Sequence, residues 1–153
     1  MERERAILPA MSVPPDLSFS IEDDPTAEDR DFIEQNLIRM NRERWPAGQG
    51  GNFAVFLRDR AGRIEAGLDA IHYGGWLFVH NLWITEARRR QGLGRLIMTE
   101  AERRARALGC HSAWLDTFSF QAPDFYQRLG YQIFGTLDHP PGVQRFFLRK
   151  SLV

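Results

Sequence analysis

The sequence predicts a mixed α/β (α+β) fold: a central, mixed but mostly antiparallel twisted sheet of six to seven strands flanked by helices. Three observations carry this expectation. Strand-like runs follow one another through short turns from Phe53 to Ile84, the pattern of an antiparallel meander. Beyond Ile84 the pattern changes to helix, strand, helix, strand, strand. The chain has 153 residues, 43% apolar and 26% charged, which suits one core in an ordinary globular protein.

Residues 1–16, with Pro9, Pro14 and Pro15, read as a loose arm, and residues 17–153 as one domain. Met11 offers a second start ahead of the first expected strand, Leu17 to Glu22, where apolar and polar residues alternate. Asp23-Asp24-Pro25-Thr26 marks a turn and a helix start. From Ala27 to Arg44, Phe32, Ile33, Leu37 and Met40 recur at helical spacing, and Pro46 with Gly48 to Gly51 ends that element. Strands are expected at Phe53 to Arg58, Ile64 to Tyr73 and Trp76 to Ile84, joined by Asp59-Arg60-Ala61-Gly62 and Gly74-Gly75. Strict alternation would place Trp76, Phe78, His80, Leu82 and Ile84 on one face of the third.

A helix follows from Leu93 to Leu108, with Leu93, Leu96, Ile97, Ala101 and Leu108 on one side and Gly109 as its stop. Glu100 with Arg104, and Glu102 with Arg106, are spaced to pair on the exposed side. Ala113 to Thr117 reads as a strand, and Pro123 to Leu129 as a short helix closed by Gly130. Tyr131 to Leu137 and Gln144 to Leu152 complete the sheet around Pro140-Pro141-Gly142.

Bulk properties narrow the function. Twenty basic and twenty acidic residues give a formal net charge of zero, so no global field favours nucleic acid or an anionic membrane. The single cysteine, Cys110, permits neither an intrachain disulfide nor a thiolate metal cluster, and no metal is expected. No apolar run approaches the ~18 residues that span a bilayer. These features suit a reduced, cytoplasmic setting.

The chemistry starts at Arg89-Arg90-Gln91-Gly92-Leu93-Gly94-Arg95, between a strand and a helix. Glycines let the backbone approach a ligand closely, and the first-turn amides of the helix point outward with partial positive charge. Such a loop suits a phosphate or pyrophosphate. A dinucleotide-binding loop is excluded because Ile97 stands where its third glycine belongs. A P-loop is excluded because its lysine and spacing are missing. A plain glycine turn ahead of a helix with solvated arginines accounts for the segment equally well when it is taken alone.

The wider pattern resembles the GNAT superfamily of N-acetyltransferases. Its [RQ]-x-x-G-x-[GA] signature is matched by Arg89, Gly92 and Gly94. Leu82-Trp83-Ile84 is similar to the apolar strand that precedes that signature. Downstream, Ala122-Pro123-Asp124-Phe125-Tyr126-Gln127-Arg128-Leu129-Gly130-Tyr131 is similar to the family segment A-x-x-[FL]-Y-x-x-[LF]-G-[FY]. The resemblance runs from Leu17 to the C-terminus and is strongest from Trp76 to Tyr131.

The resemblance implies acetyl-CoA as acyl donor and a primary amine of a small molecule as acceptor, joined in a ternary complex. A peptide or protein amine is the less favoured acceptor. Backbone groups of Leu82 and Ile84 would bond the pantetheine, and an amide near Leu82 or Trp83 the thioester carbonyl. Amides from Arg90 through Gln91, Gly92, Leu93, Gly94 and Arg95 would wrap the pyrophosphate. Arg88, Arg89, Arg90 or Arg95 would meet the 3'-phosphate. Ser119 stands where many members carry an asparagine that contacts pantetheine.

Tyr126 occupies the position of the family's general acid, and His80 a strand position where some members carry a base. Asp116 and Glu86 are second choices. Without the family, Tyr126 reads as a packing aromatic and His80 as a strand histidine with a satisfied hydrogen bond, and both readings stand. Asn36, Asn41, Trp83 and Phe120 are the acceptor candidates, with Trp45 and Trp76 beside them. Cys110, without a histidine partner in sequence, reads as structural. A homodimer is compatible with the pattern. The alternatives are a non-catalytic acyl-CoA-binding module and, against the neutral charge, a nucleic-acid contact through Arg88 to Arg90.

Overall fold

Where the sequence places a meander, three strands form: β1 (Gly50–Arg58), β2 (Ile64–Tyr73) and β3 (Trp76–Ile84). Asp59 builds the first turn, its Oδ1 accepting from the N–H groups of Ala61 at 2.8 Å and Arg63 at 2.9 Å. Gly74 and Gly75 close the second with φ of 56° and 82°, the positive pair that a tight hairpin turn demands. Then come β4 (Ser112–Phe118), β5 (Gln132–His139) and β6 (Val143–Ser151). The sheet order is β1-β2-β3-β4-β6-β5. Among the described residues only β3 and β4 run parallel. The fold is therefore the expected mixed, mostly antiparallel sheet, with six strands among the described residues.

The computed structural model describes residues 13–153, so most of the expected arm lies outside the described residues. The chain divides into two units, Met1–Arg39 and Met40–Val153. Helix α1 (Ala27–Arg44) crosses that division, and Thr26 caps it by accepting from the Asp29 N–H at 3.1 Å. Leu17 to Glu22 is not a strand. Among the described residues its alternation finds no ladder partner, and the one backbone bond there is a turn from the Leu17 N–H to the Pro14 carbonyl. Among the described residues no helix is long and apolar enough to cross a membrane.

In the second unit the core lies on one face of the sheet, from Ala66, Leu68, Ala70, Leu77, Val79, Ala113, Leu115 and Leu148. Helix α2 (Leu93–Ala107) covers it with Ile97, Met98, Ala101 and Ala105. Leu96, expected on that stripe, is exposed, because the buried stripe is rotated toward Met98 and Ala105. Helix α3 (Pro123–Arg128) adds Phe125, Tyr126 and, just past its end, Leu129.

Both helices end the same way. At α2 the Cys110 N–H reaches the Ala105 carbonyl and the Gly109 N–H reaches Arg106; at α3 the Tyr131 N–H reaches Tyr126 and the Gly130 N–H reaches Gln127. This six-to-one and five-to-two pairing needs a left-handed residue, which Gly109 (φ 84°) and Gly130 (φ 92°) supply. Cys110 is buried, and burial pushes its thiol up, so it is structural and poorly nucleophilic.

Glu102 keeps the expected pair with Arg106 but not the expected surface position. It is buried, with Lys150 Nζ donating to its two oxygens at 2.9 and 2.7 Å and the Tyr131 hydroxyl donating at 3.1 Å. Arg106 lies 3.8 Å away, and Glu100 pairs with Arg103 rather than Arg104. Helical spacing names possible partners along one helix; here strand β6 supplies the closer one.

Candidate functional site

The site begins with a break in β3. Ala70 pairs with Val79, but Asp69 pairs with Asn81, leaving His80 as an extra residue. This bulge reverses the phase of the strand. Leu82 and Ile84 pair with Leu68 and Ala66 and so join the core face, while Trp83 turns outward. The strict alternation expected for Trp76 to Ile84 therefore fails at His80.

The bulge coincides with a parting of strands. β3 and β4 pair only from Trp76–Val79 to Ser112–Leu115. Beyond that, β3 keeps its β2 ladder while its other edge faces a cleft of about 940 Å³. Val79 to Ile84 line one wall, Leu115 to Thr117 another, and Phe120, Phe125, Tyr126 and Arg128 close it from α3 and the preceding loop. Peptide groups on the parted edge have no ladder partner and are available to a ligand's amides.

The floor is the loop into α2. Gly92 precedes the helix with φ of 77°, and Arg90 holds φ of 61°, a conformation that costs a non-glycine residue about 1–2 kcal/mol. Two left-handed residues this close to the head of a helix suit a backbone concavity fitted to an anion. Arg90, Arg95 and Arg128 line the cleft, and no carboxylate pairs with them among the described residues.

Gly94 lets α2 seat against α3. A Cβ there would stand 2.9 Å from Phe125 Cζ and 3.4 Å from Ile84 Cδ1, both against the core. Gly94→Val is therefore expected to destabilise the fold by about 2 kcal/mol through overpacking. Gly92→Ala meets open space and costs about 1 kcal/mol through its backbone angle alone. Chemical denaturation of the two variants checks the order, and equal stabilities would refute it.

Tyr126 sits in the cleft wall, edge-on to Phe125 at 5.0 Å between ring centres. Burial, and then the nearby Asp116 charge, push its phenol up to about 12, so it carries its proton throughout the neutral range. Asp116 is held by Arg145, whose Nε donates to Oδ2 at 2.7 Å. His80 Nδ1 lies 3.1 Å from Asp69 Oδ2. Such an arrangement can bind a phosphorylated donor, offer a proton from a phenol and accept one on an imidazole.

Residues 16–131 match the model of the family described as Acetyltransferase (GNAT) family. The chain belongs to the GNAT acetyltransferase family. It is an N-acetyltransferase, of class EC 2.3.1. A blasticidin-S acetyltransferase of Streptomyces morookaense is 37% identical over 102 residues, covering 65% of this chain and 75% of that protein. A solved structure from Agrobacterium tumefaciens superposes with a TM-score of 0.83 at 29% identity, covering 88% of this chain and 99% of that one. An aminoglycoside 6'-N-acetyltransferase solved with coenzyme A shares the fold alone, with a TM-score of 0.60 at 18% identity over 85% of this chain and 96% of that one.

In this GNAT protein the cleft gathers His80, Leu82, Trp83, Ile84, Arg89, Arg90, Gly92, Leu93, Gly94, Arg95, Phe120 and Tyr126, all singled out in the sequence. The Arg89 Nε turns back to the Ile84 carbonyl at 3.2 Å, and Gln91 to the Ala87 carbonyl at 3.1 Å. Ser119 is tied to β6, its Oγ accepting from the Gln144 N–H, and it is not among the lining residues. Asn41 lies outside the lining too, its carbonyl accepting from the Trp45 N–H at 2.7 Å. Asn36 belongs to the first unit, where its amide donates to the Phe32 carbonyl. Glu86 is exposed in a short 3-10 turn.

Asp69, Gln121 and Arg128 reach the site without having been marked by the sequence. Arg128 follows Tyr126 within the same motif and carried that signal. Gln121 accepts from the Thr117 hydroxyl and the Phe118 N–H, shaping the loop that bears Phe120.

Proposed function

We propose that the protein transfers an acetyl group from acetyl-CoA directly to a primary amine of a small molecule, within a ternary complex. The observation that carries this reading is the parted β3 edge running into the Arg90–Gly92 loop at the head of α2. A long donor with peptide-like amides at one end and a diphosphate at the other fits both halves of that track. When bound, acetyl-CoA supplies the activated acyl carbon.

The residues divide the remaining work. Loop amides and the α2 N-terminus hold the diphosphate, and Arg90, Arg95 and Arg128 meet the outer phosphates. Unpaired amides near Leu82 and Trp83 donate to the thioester oxygen as charge grows there, a contribution of about 3 kcal/mol in acyl-transfer enzymes. Tyr126 gives its proton to the departing sulfur. His80 takes the proton of the attacking amine; Asp116, engaged by Arg145, is the poorer base. Trp83 and Phe120 are exposed in the cleft wall and offer flat apolar surface to the acceptor. The likeness to a blasticidin-S acetyltransferase supports a small-molecule acceptor.

Calorimetry with coenzyme A and acetyl-CoA, followed by thiol release with a panel of amines, tests the reading. The expected result is saturable binding and amine-dependent release. No heat from folded protein would overturn it, and binding without turnover across the panel would leave a non-catalytic acyl-CoA-binding module instead.

A further inference from the structure

We infer that Asp69 is a positioning residue for the reaction, holding the His80 imidazole in the tautomer whose Nε2 is free to accept the amine proton. The inference rests on the proposed role of His80. It goes further by assigning Asp69 and Asn81 a task of their own.

The bulge is the cause. In a regular ladder Asp69 would oppose a single residue of β3; here it faces both His80 and Asn81. One carboxylate therefore reaches two side chains. Oδ2 lies 3.1 Å from His80 Nδ1, and Oδ1 accepts from Asn81 Nδ2 at 2.8 Å. Asn81 Nδ2 also stands 3.2 Å from His80 Nδ1, so two proton arrangements need weighing.

If Nδ1 accepted from Asn81, its lone pair would face the Asp69 oxygen at 3.1 Å, acceptor against acceptor. If Nδ1 carries the hydrogen, it donates to Oδ2 while Asn81 donates to Oδ1; the two nitrogens then meet at 3.2 Å without a bond between them, and both hydrogens point to the one carboxylate, whose charge outweighs that contact. The second arrangement wins. It leaves Nε2 as the unprotonated ring nitrogen on a residue that lines the cleft.

The proton balance is simple. The amine nitrogen bonds to the acyl carbon, and its proton passes to His80 Nε2. The carbon–sulfur bond breaks, and sulfur takes the proton of Tyr126. The imidazolium sits against the Asp69 carboxylate until solvent removes its proton, and the phenol is recharged from solvent.

Both side chains are about half exposed, at 55% for His80 and 47% for Asp69, so screening limits the gain. An enclosed triad loses about 10⁴-fold when its carboxylate becomes an amide; here Asp69→Ala is expected to lower turnover about tenfold and leave acetyl-CoA affinity unchanged. The direct readout is the imidazole ¹⁵N spectrum of neutral His80 in the free protein. Nδ1–H is expected in the natural chain, with a shift toward Nε2–H in Asp69→Ala. In kinetics, Asp69→Ala placed on His80→Ala should add no further loss, because the two act as one unit. Asp69→Glu should recover part of the activity.

An unchanged tautomer in Asp69→Ala, or a full tenfold loss added on top of His80→Ala, overturns the inference. His80→Ala with natural turnover would remove His80 as the base, and the spectrum would still decide whether Asp69 sets its tautomer.

Discussion

Tyr126→Phe is expected to lower turnover by about 10²–10⁴-fold, the range of a lost general acid, while acetyl-CoA affinity stays within a factor of about two. The phenol is packed edge-on against Phe125 and Tyr131, and phenylalanine keeps that shape. Only the hydroxyl is lost. Desolvation and the Asp116 charge push the Tyr126 ionisation upward to about 12. The sign follows: a raised value keeps the proton on oxygen at neutral pH, so the group gives a proton rather than takes one. The natural enzyme should therefore show no descending limb from this phenol across neutral and mildly alkaline pH. Single-turnover kinetics separate chemistry from product release. An unchanged chemical rate in Tyr126→Phe would remove the acid role.

Lys150→Ala is expected to cost about 3 kcal/mol of stability, the lower end for breaking a buried ion pair, since a quarter of the lysine side chain is exposed. Its removal leaves the Glu102 carboxylate, 5% exposed, with the Tyr131 hydroxyl and a guanidinium at 3.8 Å. In a chain of this length that corresponds to a fall of roughly 6–12 °C in Tm. The penalty comes from the stranded charge, so Glu102→Gln combined with Lys150→Met should recover most of it, the amide still accepting from Tyr131. Thermal unfolding of the single and double variants decides. A Lys150→Ala melting curve that overlays the natural one would refute the account.

The limits of the sequence reading have physical causes. Turns were legible because their chemistry is local: Asp59 bonds its own loop, and Gly74, Gly109 and Gly130 sit at positive φ where the chain must reverse or stop. The turn at the head of α2 was legible for the same reason, and Arg89, Arg90, Gly92, Gly94 and Arg95 line the cleft. The bulge at His80 was not. The run Trp76 to Ile84 is apolar except at His80 and Asn81, and that adjacent polar pair, which breaks alternation at the bulge, was read through as a regular strand. Asp69 was missed because its partners stand across a ladder whose register the bulge resets. Leu17 to Glu22 shows the reverse error, a strand pattern with no neighbour among the described residues to complete it.

Lys150 is the only lysine in the chain. Its Nζ is already committed to both oxygens of Glu102. Activated thioesters acylate accessible, uncharged amines without assistance, and an enzyme that handles them risks modifying itself. An ammonium locked against a buried carboxylate is a poor nucleophile, and the guanidinium groups elsewhere stay charged at any physiological pH. The chain's one side-chain amine is thus tied up in an ion pair, which limits its exposure to self-acylation.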